Sequence, residues 1–171
     1  HELVGLEDGV VDPYLAADSF YVSPILNEVT PEAMKRLAES EGFLMLDPQG
    51  LFRNVDESGD IENKVPSDLE DYLEGVDVVK VGKDEFEAFD RGEEEVLELL
   101  SEMGPEISIL TLGGEGCKFF VDGEFTHVEA LNVQVEDLTG AGDVFGAAFM
   151  NRYKDTGNVL KSAKFANAAA G

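Results

Sequence analysis

The chain has 171 residues and carries 37 acidic side chains against 12 Lys and Arg, a formal net charge of −25 at pH 7. That charge excludes a general basic surface for nucleic acid or anionic membranes, and the single cysteine, Cys117, excludes an internal disulfide and a cysteine-based zinc site. Hydrophobic residues make up 43% of the sequence, enough for the core of about one domain, and no apolar run approaches the roughly 20 residues that span a bilayer.

Apolar segments alternate with helical patterns along the first two thirds of the chain. The β-rich segment 19–25 and the apolar runs 43–46, 76–81 and 107–112 are typical of strands buried in a sheet. Residues 48–66, rich in Gly, Asp, Asn and Pro, are predicted to form a loop. Helical spacing and capping residues, including a capping box at Ser67–Glu70, predict helices that begin near Thr30-Pro31, Ser67, Asp84 and Glu93.

The last third of the chain predicts a hairpin followed by two helices. Asp122-Gly123 is the favoured dipeptide of a type I′ hairpin turn. The hairpin strands, a short further strand and the two closing helices are predicted at 117–121, 124–128, 133–135, 141–153 and 159–170. Strands that alternate with helices and end in a hairpin predict an α/β domain, with a mainly parallel sheet flanked by helices. We see no repeat or linker, so one domain over residues 1–171 is the simplest expectation.

Ligands of open α/β sheets bind outside the carboxyl ends of the strands, and four segments occupy such positions. They are 47–50, 82–85, 111–114 and 139–143. In the last, Thr139-Gly-Ala-Gly-Asp143, three small residues stand at a helix start, where free N–H groups and the macrodipole favour an anion. Asp143 would repel a phosphate, but it suits the base that takes the proton from an alcohol attacking a phosphoryl group.

Two common glycine-rich motifs do not fit this loop. A Walker A loop needs Lys and then Ser or Thr after its last glycine, so Asp143 rules it out. Gly140, Gly142 and Gly146 do not have the spacing of a dinucleotide fingerprint, which disfavours an oxidoreductase. The alternative interpretation, that this loop is a glycine-rich helix start that binds no ligand, stays open. The charge distribution favours the anion site, because residues 140–171 carry a net charge of +2 and residues 1–139 a net charge of −27.

The loop also resembles a known family signature. Asp137-Leu-Thr-Gly-Ala-Gly-Asp-Val-Phe145 closely resembles the C-terminal signature of the ribokinase-like (PfkB) carbohydrate kinases. Four weaker matches come in the family's order: Asp47-Pro-Gln-Gly-Leu-Phe-Arg53, Val79-Lys-Val-Gly-Lys-Asp-Glu-Phe-Glu87, Thr111-Leu-Gly-Gly-Glu-Gly116 and Ala166-Asn-Ala-Ala-Ala170. The resemblance runs from about residue 20 to residue 171.

This resemblance implies an ATP-dependent phosphotransferase that uses Mg²⁺ and acts on a hydroxyl of a small sugar, polyol, inositol or nucleoside. Asp143 would be the general base, and the backbone N–H groups of Gly140, Ala141 and Gly142 would form an anion hole. The other implied contacts are Thr111, Gly113, Gly116 and Asn167 along the nucleotide, Glu85 toward Mg²⁺ through water, Asp137 and Thr139 at a monovalent cation such as K⁺, and Asp47, Gln49 and Arg53 on the substrate side.

The sequence departs from the family pattern at Gly82, at Gln49 in place of the common Asn, at Leu138 in place of a frequent Thr, and in its extent. Gly82 stands where the family usually has Asn, which keeps open a nucleotide-binding regulatory or pseudo-enzyme module that performs no transfer. The family's N-terminal portion, with most substrate contacts and the lid strands, and its extreme C-terminus find no match in these residues. We therefore expect the nucleotide-side part of a larger cytoplasmic enzyme, with any homodimer contacts in the lid portion.

Overall fold

The computed structural model describes residues 10–55, 58–131 and 140–171. Seven α-helices and eight strands occur in these residues. In chain order they are β1 (Ser19–Val22), α1 (Pro31–Ala38), β2 (Phe43–Leu46), α2 (Gln49–Phe52), β3 (Arg53–Val55), β4 (Ile61–Asn63), α3 (Leu69–Leu73), β5 (Val78–Val81), α4 (Lys83–Glu87), α5 (Glu93–Glu102), β6 (Ile107–Thr111), β7 (Cys117–Val121), β8 (Glu124–Val128), α6 (Ala141–Thr156) and α7 (Val159–Ala170). Within the described ranges, none of the helices is long and apolar enough to cross a membrane.

The main sheet has six strands in the order β1-β2-β5-β6-β7-β8. Its first four strands are parallel, and β7 and β8 add an antiparallel hairpin at one edge. The prediction of a mainly parallel sheet with a late hairpin is confirmed. Since parallel strands end at the same edge of the sheet, this order brings the segments after β2, β5 and β6 to one side of the molecule.

Alternate strand residues enter two separate cores, one on each face of the sheet. In β2, Leu44 and Leu46 join the cluster that includes apolar residues of α1, α3 and α5, whereas Met45 joins Phe145 and Phe149 of α6 in the other. Both faces of the strand are buried, which explains its continuous apolar sequence. The result is a three-layer arrangement with helices on both faces.

The β7–β8 turn forms as its sequence predicts. Asp122 and Gly123 both have positive φ, 53° and 79°, as the two central residues of a type I′ turn require. On the strands beside the turn, Phe120 pairs with Phe125 and their ring centroids are 4.7 Å apart. The turn residues and the cross-strand aromatic pair therefore favour the same register of β7 and β8.

Two local predictions are wrong. Residues 48–66 do not form one loop, because they contain α2 and the separate antiparallel ribbon of β3 and β4, in which Val55 pairs with Ile61. Helix α3 begins at Leu69 after Asp68, without a side-chain cap at Asp68, so Ser67 does not open a capping box. The strand predicted at 133–135 lies outside the described residues.

Helix α6 packs closely on β1 because Gly146 has no side chain. A Cβ atom at Gly146 would overlap the hydroxyl and ring of Tyr21, which is the third residue of β1. Gly146 is buried, and Phe145 and Phe149 beside it enter the core on that face. This close approach sets how near the start of α6 comes to the carboxyl ends of the strands.

We expect Gly146→Ala to destabilise the protein, although alanine is the better helix former. The added Cβ atom forces Tyr21 or α6 to move, and overpacking of this kind costs about 1–3 kcal/mol. Urea unfolding of the variant would show a lower midpoint. The control is Asn151→Ala on the exposed side of the same helix, where the gain in helix propensity should leave stability equal or slightly higher. A Gly146→Ala variant as stable as that control would contradict the packing.

Candidate active site

The first turn of α6 presents backbone donors toward the sheet edge. Gly140 precedes the helix in the left-handed conformation, with φ of 78°, and the N–H of Val144 donates to the Gly140 carbonyl oxygen at 3.0 Å. In an α-helix, the N–H groups before this first bond have no intrahelical partner, and they carry the positive end of the dipole. This geometry is compatible with the anion hole that the sequence predicts at residues 140–142.

A pocket opens beside this turn. Ala141 and Gly142 form one wall, and the loop after β6, the segment after β8 and the end of α7 form the others. The four residues expected along the nucleotide all line it: Thr111, Gly113, Gly116 and Asn167. Apolar groups also line it, namely Ala130, Leu131, Phe145 and Ala170. The fold thus brings two distant sequence motifs into one cavity that has a polar and an apolar part.

Gly116 and Asn167 shape the wall of this pocket. Gly116 has φ of 95°, and a Cβ atom there would collide with the carbonyl oxygen of Val128. The Asn167 amide Nδ2 donates to the carbonyl oxygens of Val128 and Glu129 at 3.0 and 3.3 Å. Glycine at position 116 lets the segment after β8 lie close to this loop, and Asn167 binds that segment to α7. In this structure, the side-chain N–H groups of Asn167 therefore bind the chain itself.

Glu85 folds back over Gly82 at the start of α4. Its Oε2 atom accepts a hydrogen bond of 2.8 Å from the Gly82 N–H, and a Cβ atom on Gly82 would lie only 2.6 Å from that oxygen. Glu85 is 8% exposed, and burial, reinforced by the charge of Asp47, raises the pKa of its carboxyl. The carboxylate thus lies in the space that a larger residue at position 82 would need.

Asp143 lies at one end of a chain of polar side chains. The Ser23 hydroxyl donates to Asp143 Oδ1 at 3.1 Å, and Gln49 Nε2 donates to Ser23 Oγ at 3.1 Å. Arg53 Nη2 in turn donates to Gln49 Oε1 at 3.4 Å, and its Nη1 donates to the Ile25 carbonyl oxygen. Asp143 itself is exposed. The predicted residues Gln49, Arg53 and Asp143 are therefore connected through Ser23.

Asp47 occupies a different position from Gln49 and Arg53. It is 1% exposed, and its Oδ2 atom lies 2.5 Å from Lys80 Nζ and accepts a 3.2 Å hydrogen bond from the Tyr21 hydroxyl. Burial, reinforced by the charges of Asp47 and Asp143, raises the pKa of the Tyr21 hydroxyl above its ordinary value. Asp47 thus lies in a buried ion pair, while Gln49 and Arg53 connect to Asp143 through Ser23.

The basic residues after position 140 do not converge on the pocket. Lys154 Nζ donates to the Asp18 carbonyl oxygen at 3.0 Å, and the Arg152 guanidinium lies over the Phe165 ring, 5.9 Å from its centroid. Both residues stand in the last two turns of α6, remote from its first turn. The net positive charge of this region therefore does not act through these two side chains at the anion site.

Glu85, the residue predicted to contact Mg²⁺ through water, is a buried carboxylate that, among the described residues, does not belong to a cage of ligands. Within the described ranges, no group of three or more metal-ligating side chains occurs. Mg²⁺ commonly keeps several waters and binds one or two carboxylates together with substrate phosphates, and Glu85 suits that pattern. Asp137 and Thr139, expected at a monovalent cation, lie outside the described residues.

With this geometry in place, comparison with known proteins identifies the family. The model of the pfkB family of carbohydrate kinases matches residues 10–171. The chain belongs to that family. Fructokinase-1 from Zea mays is 34% identical over 102 residues, which cover 54% of this chain and 32% of the fructokinase. The chain thus matches about a third of the length of that pfkB relative.

Solved structures of two kinases show the same fold. A pyrophosphate-dependent myo-inositol-1 kinase, converted into a myo-inositol-3 kinase by two substitutions, aligns with a TM-score of 0.85 at 23% identity, covering 97% of this chain and 60% of that one. Ribokinase from Arabidopsis thaliana, in complex with ribose and ATP, aligns with a TM-score of 0.73 at 20% identity, covering 98% and 53%.

Three residues near the pfkB signature loop were not predicted from the sequence as part of the candidate site. Lys80 is a lone charge in the otherwise apolar segment Val78–Val81, and that anomaly could have marked it. Tyr21 and Ser23 lie on alternate positions at the end of β1, so they face the same side of the sheet. Their proximity to Asp143 depends on the position of α6, which no local pattern discloses.

We expect Glu85→Gln to stabilise the protein at neutral pH. Because burial raises the Glu85 pKa in the folded state, the charged form costs stability once pH exceeds the ordinary glutamate value. The melting temperature of the variant should match the wild type below about pH 4 and exceed it increasingly as pH rises through the raised pKa. Thermal scans from pH 4 to 8 test this, with exposed Glu87→Gln as the control. A lower melting temperature at pH 7.5 would contradict it.

Proposed function

We propose that the protein transfers the γ-phosphoryl group of ATP to a hydroxyl of a small sugar, polyol, inositol or nucleoside. One observation supports this most directly. The first turn of α6 stands between the pocket, lined by Ala141 and Gly142, and the chain of side chains that leads from Asp143 to Gln49. A phosphoryl donor on one side and a hydroxyl acceptor on the other would meet at this turn.

The pocket suits a nucleotide donor. Its apolar part, formed by Ala130, Leu131 and Ala170, would take the base, and its glycine-rich part would let backbone N–H groups approach the phosphates. The γ-phosphoryl would reach the N–H groups of residues 140–142. The ATP-bound ribokinase from Arabidopsis thaliana, which shares this fold, supports ATP as the donor.

Asp143 would accept the proton of the attacking hydroxyl. The acceptor oxygen forms a bond to the γ-phosphorus, the bond from that phosphorus to the β–γ bridging oxygen breaks, and ADP leaves. The Ser23 hydroxyl orients the Asp143 carboxylate, and the N–H groups of residues 140–142 stabilise charge on the transferring group. Mg²⁺ near Glu85 would neutralise phosphate charge when bound.

The acceptor would contact the side of Asp143 that carries Ser23, Gln49 and Arg53. Amide, hydroxyl and guanidinium groups are all suited to hydroxyl-rich molecules, and the fructokinase and myo-inositol kinase relatives act on such compounds. A monovalent cation at Asp137 and Thr139 remains a prediction outside the described residues. The regulatory alternative rests on Gly82, which has no side chain to contact a ligand as the family's asparagine would. Instead, the Gly82 N–H donates a hydrogen bond to the Glu85 carboxylate.

Asp143→Asn should reduce kcat by roughly 10²–10⁴-fold, because the variant loses the general base. The KM for ATP should change little, since Asp143 does not line the pocket. The melting temperature should stay unchanged, because the Asp143 side chain is exposed. Steady-state kinetics of the full-length protein measure both constants. Asp155→Asn, also exposed on α6, is the matched control. Turnover of Asp143→Asn within a few-fold of wild type would refute the base assignment.

A donor and acceptor matrix tests the function as a whole. ATP and pyrophosphate would each be incubated with fructose, ribose, myo-inositol and nucleosides, with Mg²⁺ and with either K⁺ or Na⁺. We expect phosphorylated product with ATP and one class of acceptor. Product with pyrophosphate alone would overturn ATP as the donor. Stabilisation by ATP without product in any combination would instead favour the regulatory module.

A further inference from the structure

Lys80 is a buried charge in the middle of the sheet. The other residues of β5, Val78, Val79 and Val81, are apolar and fully buried, whereas the Lys80 side chain carries an ammonium group and is only 4% exposed. Burial of a charge is unfavourable unless it is paired and hydrogen-bonded. A lysine in this position therefore calls for an explanation in terms of what its ammonium contacts.

The ammonium lies directly beneath the first turn of α6. Nζ is 2.5 Å from Asp47 Oδ2 and donates to the Gly142 carbonyl oxygen at 3.5 Å. A Cβ atom on Gly142 would lie 3.1 Å from Nζ, closer than most such contacts, so glycine leaves room for this approach. Lys80 thus joins the end of β2 to the peptide unit that precedes Asp143.

A second contact lies one helical turn further along α6. The Tyr21 hydroxyl donates to the same Asp47 oxygen that Lys80 binds, and the Tyr21 ring lies against Gly146. Gly142 and Gly146 are four residues apart, so they share one face of the helix. Lys80 and Tyr21, linked through Asp47, therefore support α6 at two successive turns and restrict both its shift and its rotation.

The position of Gly142 determines two functional features together. The Gly142 N–H is one of the three groups expected to bind the γ-phosphoryl, and the Gly142 carbonyl that Lys80 contacts is bonded directly to the Asp143 nitrogen. A small shift of this turn would displace both the donors and the base. Misplacement of reacting groups by about 1 Å can cost 10²-fold in rate even when the change lies away from the chemistry.

We propose that Lys80 is a positioning residue, which holds the first turn of α6 through the Gly142 carbonyl and the Asp47–Tyr21 pair. In this role Lys80 contacts neither substrate. It acts by aligning Asp143 and the N–H groups of residues 140–142 with the phosphoryl group. The inference rests on the proposed function for its kinetic consequence, whereas its structural consequence can be measured without any activity.

The test compares three variants of the full-length protein. Lys80→Met removes the ammonium and leaves Asp47 as an unpaired buried charge, so its melting temperature should fall. The double variant Asp47→Asn, Lys80→Met removes both charges, and its melting temperature should recover much of that loss, since apolar replacement of buried pairs is often neutral. Lys161→Met, exposed near the start of α7, is the matched control and should behave as wild type.

Kinetics then separate positioning from stability. We expect kcat to fall roughly 10²-fold in Lys80→Met and to stay low in the double variant, while the KM values for ATP and for the acceptor change less than about threefold. If both kcat and the melting temperature recover in the double variant, Lys80 serves only as a counterion of Asp47, and the positioning role is wrong. A loss confined to the acceptor KM would instead indicate that Asp47 binds substrate.

Hydrogen exchange provides a readout that does not depend on catalysis. Without substrates, amides of residues 144–149 should exchange faster in Lys80→Met and in the double variant than in wild type, while amides of the β7–β8 hairpin keep their rates. Unchanged exchange at residues 144–149 would overturn the inference even if the protein is an active kinase. Faster exchange in a protein that phosphorylates no acceptor would uphold the positioning role and reject the proposed function.

Discussion

The site depends on how closely the start of α6 approaches the carboxyl ends of the parallel strands. Gly142 and Gly146 permit that approach, because a side chain at either position would press on Lys80 or Tyr21. The helix direction follows from these contacts, and with it the placement of Asp143 opposite Ser23 and of Ala141 in the pocket wall. A helix start is a common feature of proteins. What distinguishes this helix start is that Ser23, Asp47 and Lys80, polar residues of three neighbouring strands or the segments after them, lie close to it or to one another.

Sequence patterns predicted the main sheet well where local physics and burial agree. The apolar run Phe43–Leu46 predicts a strand buried on both faces, and Asp122-Gly123 predicts the turn that joins β7 to β8. The ribbon of β3 and β4 was missed for the converse reason. Its strands are three residues long and largely exposed, and the apolar pair Val55 and Ile61 faces solvent, so no alternation toward a core marks them.

The candidate site shows the same division between local and long-range information. Asp143, Gln49 and Arg53 belong to motifs with a recognisable spacing, so the sequence alone could nominate them. Ser23 and Tyr21 are ordinary residues at the end of a strand, and they matter because α6, more than a hundred residues later, lies against them. Lys80 was only partly predictable. A charge within a buried strand can be recognised in the sequence, whereas the contact of Lys80 with Gly142 cannot.

In the proposed function, a polyphosphate must bind to a chain whose net charge is −25. The positive charge of residues 140–171 suggested that cationic side chains attract it, but Lys154 binds a carbonyl oxygen near β1 and Arg152 stacks on Phe165. Lys80 is close to the anion loop, yet its charge is matched by Asp47. In the proposed function, stabilisation of the phosphates would therefore depend on oriented backbone N–H groups and on Mg²⁺. Such dipoles are fixed by the fold, which makes the alignment of the first turn of α6 more important than the number of nearby cations.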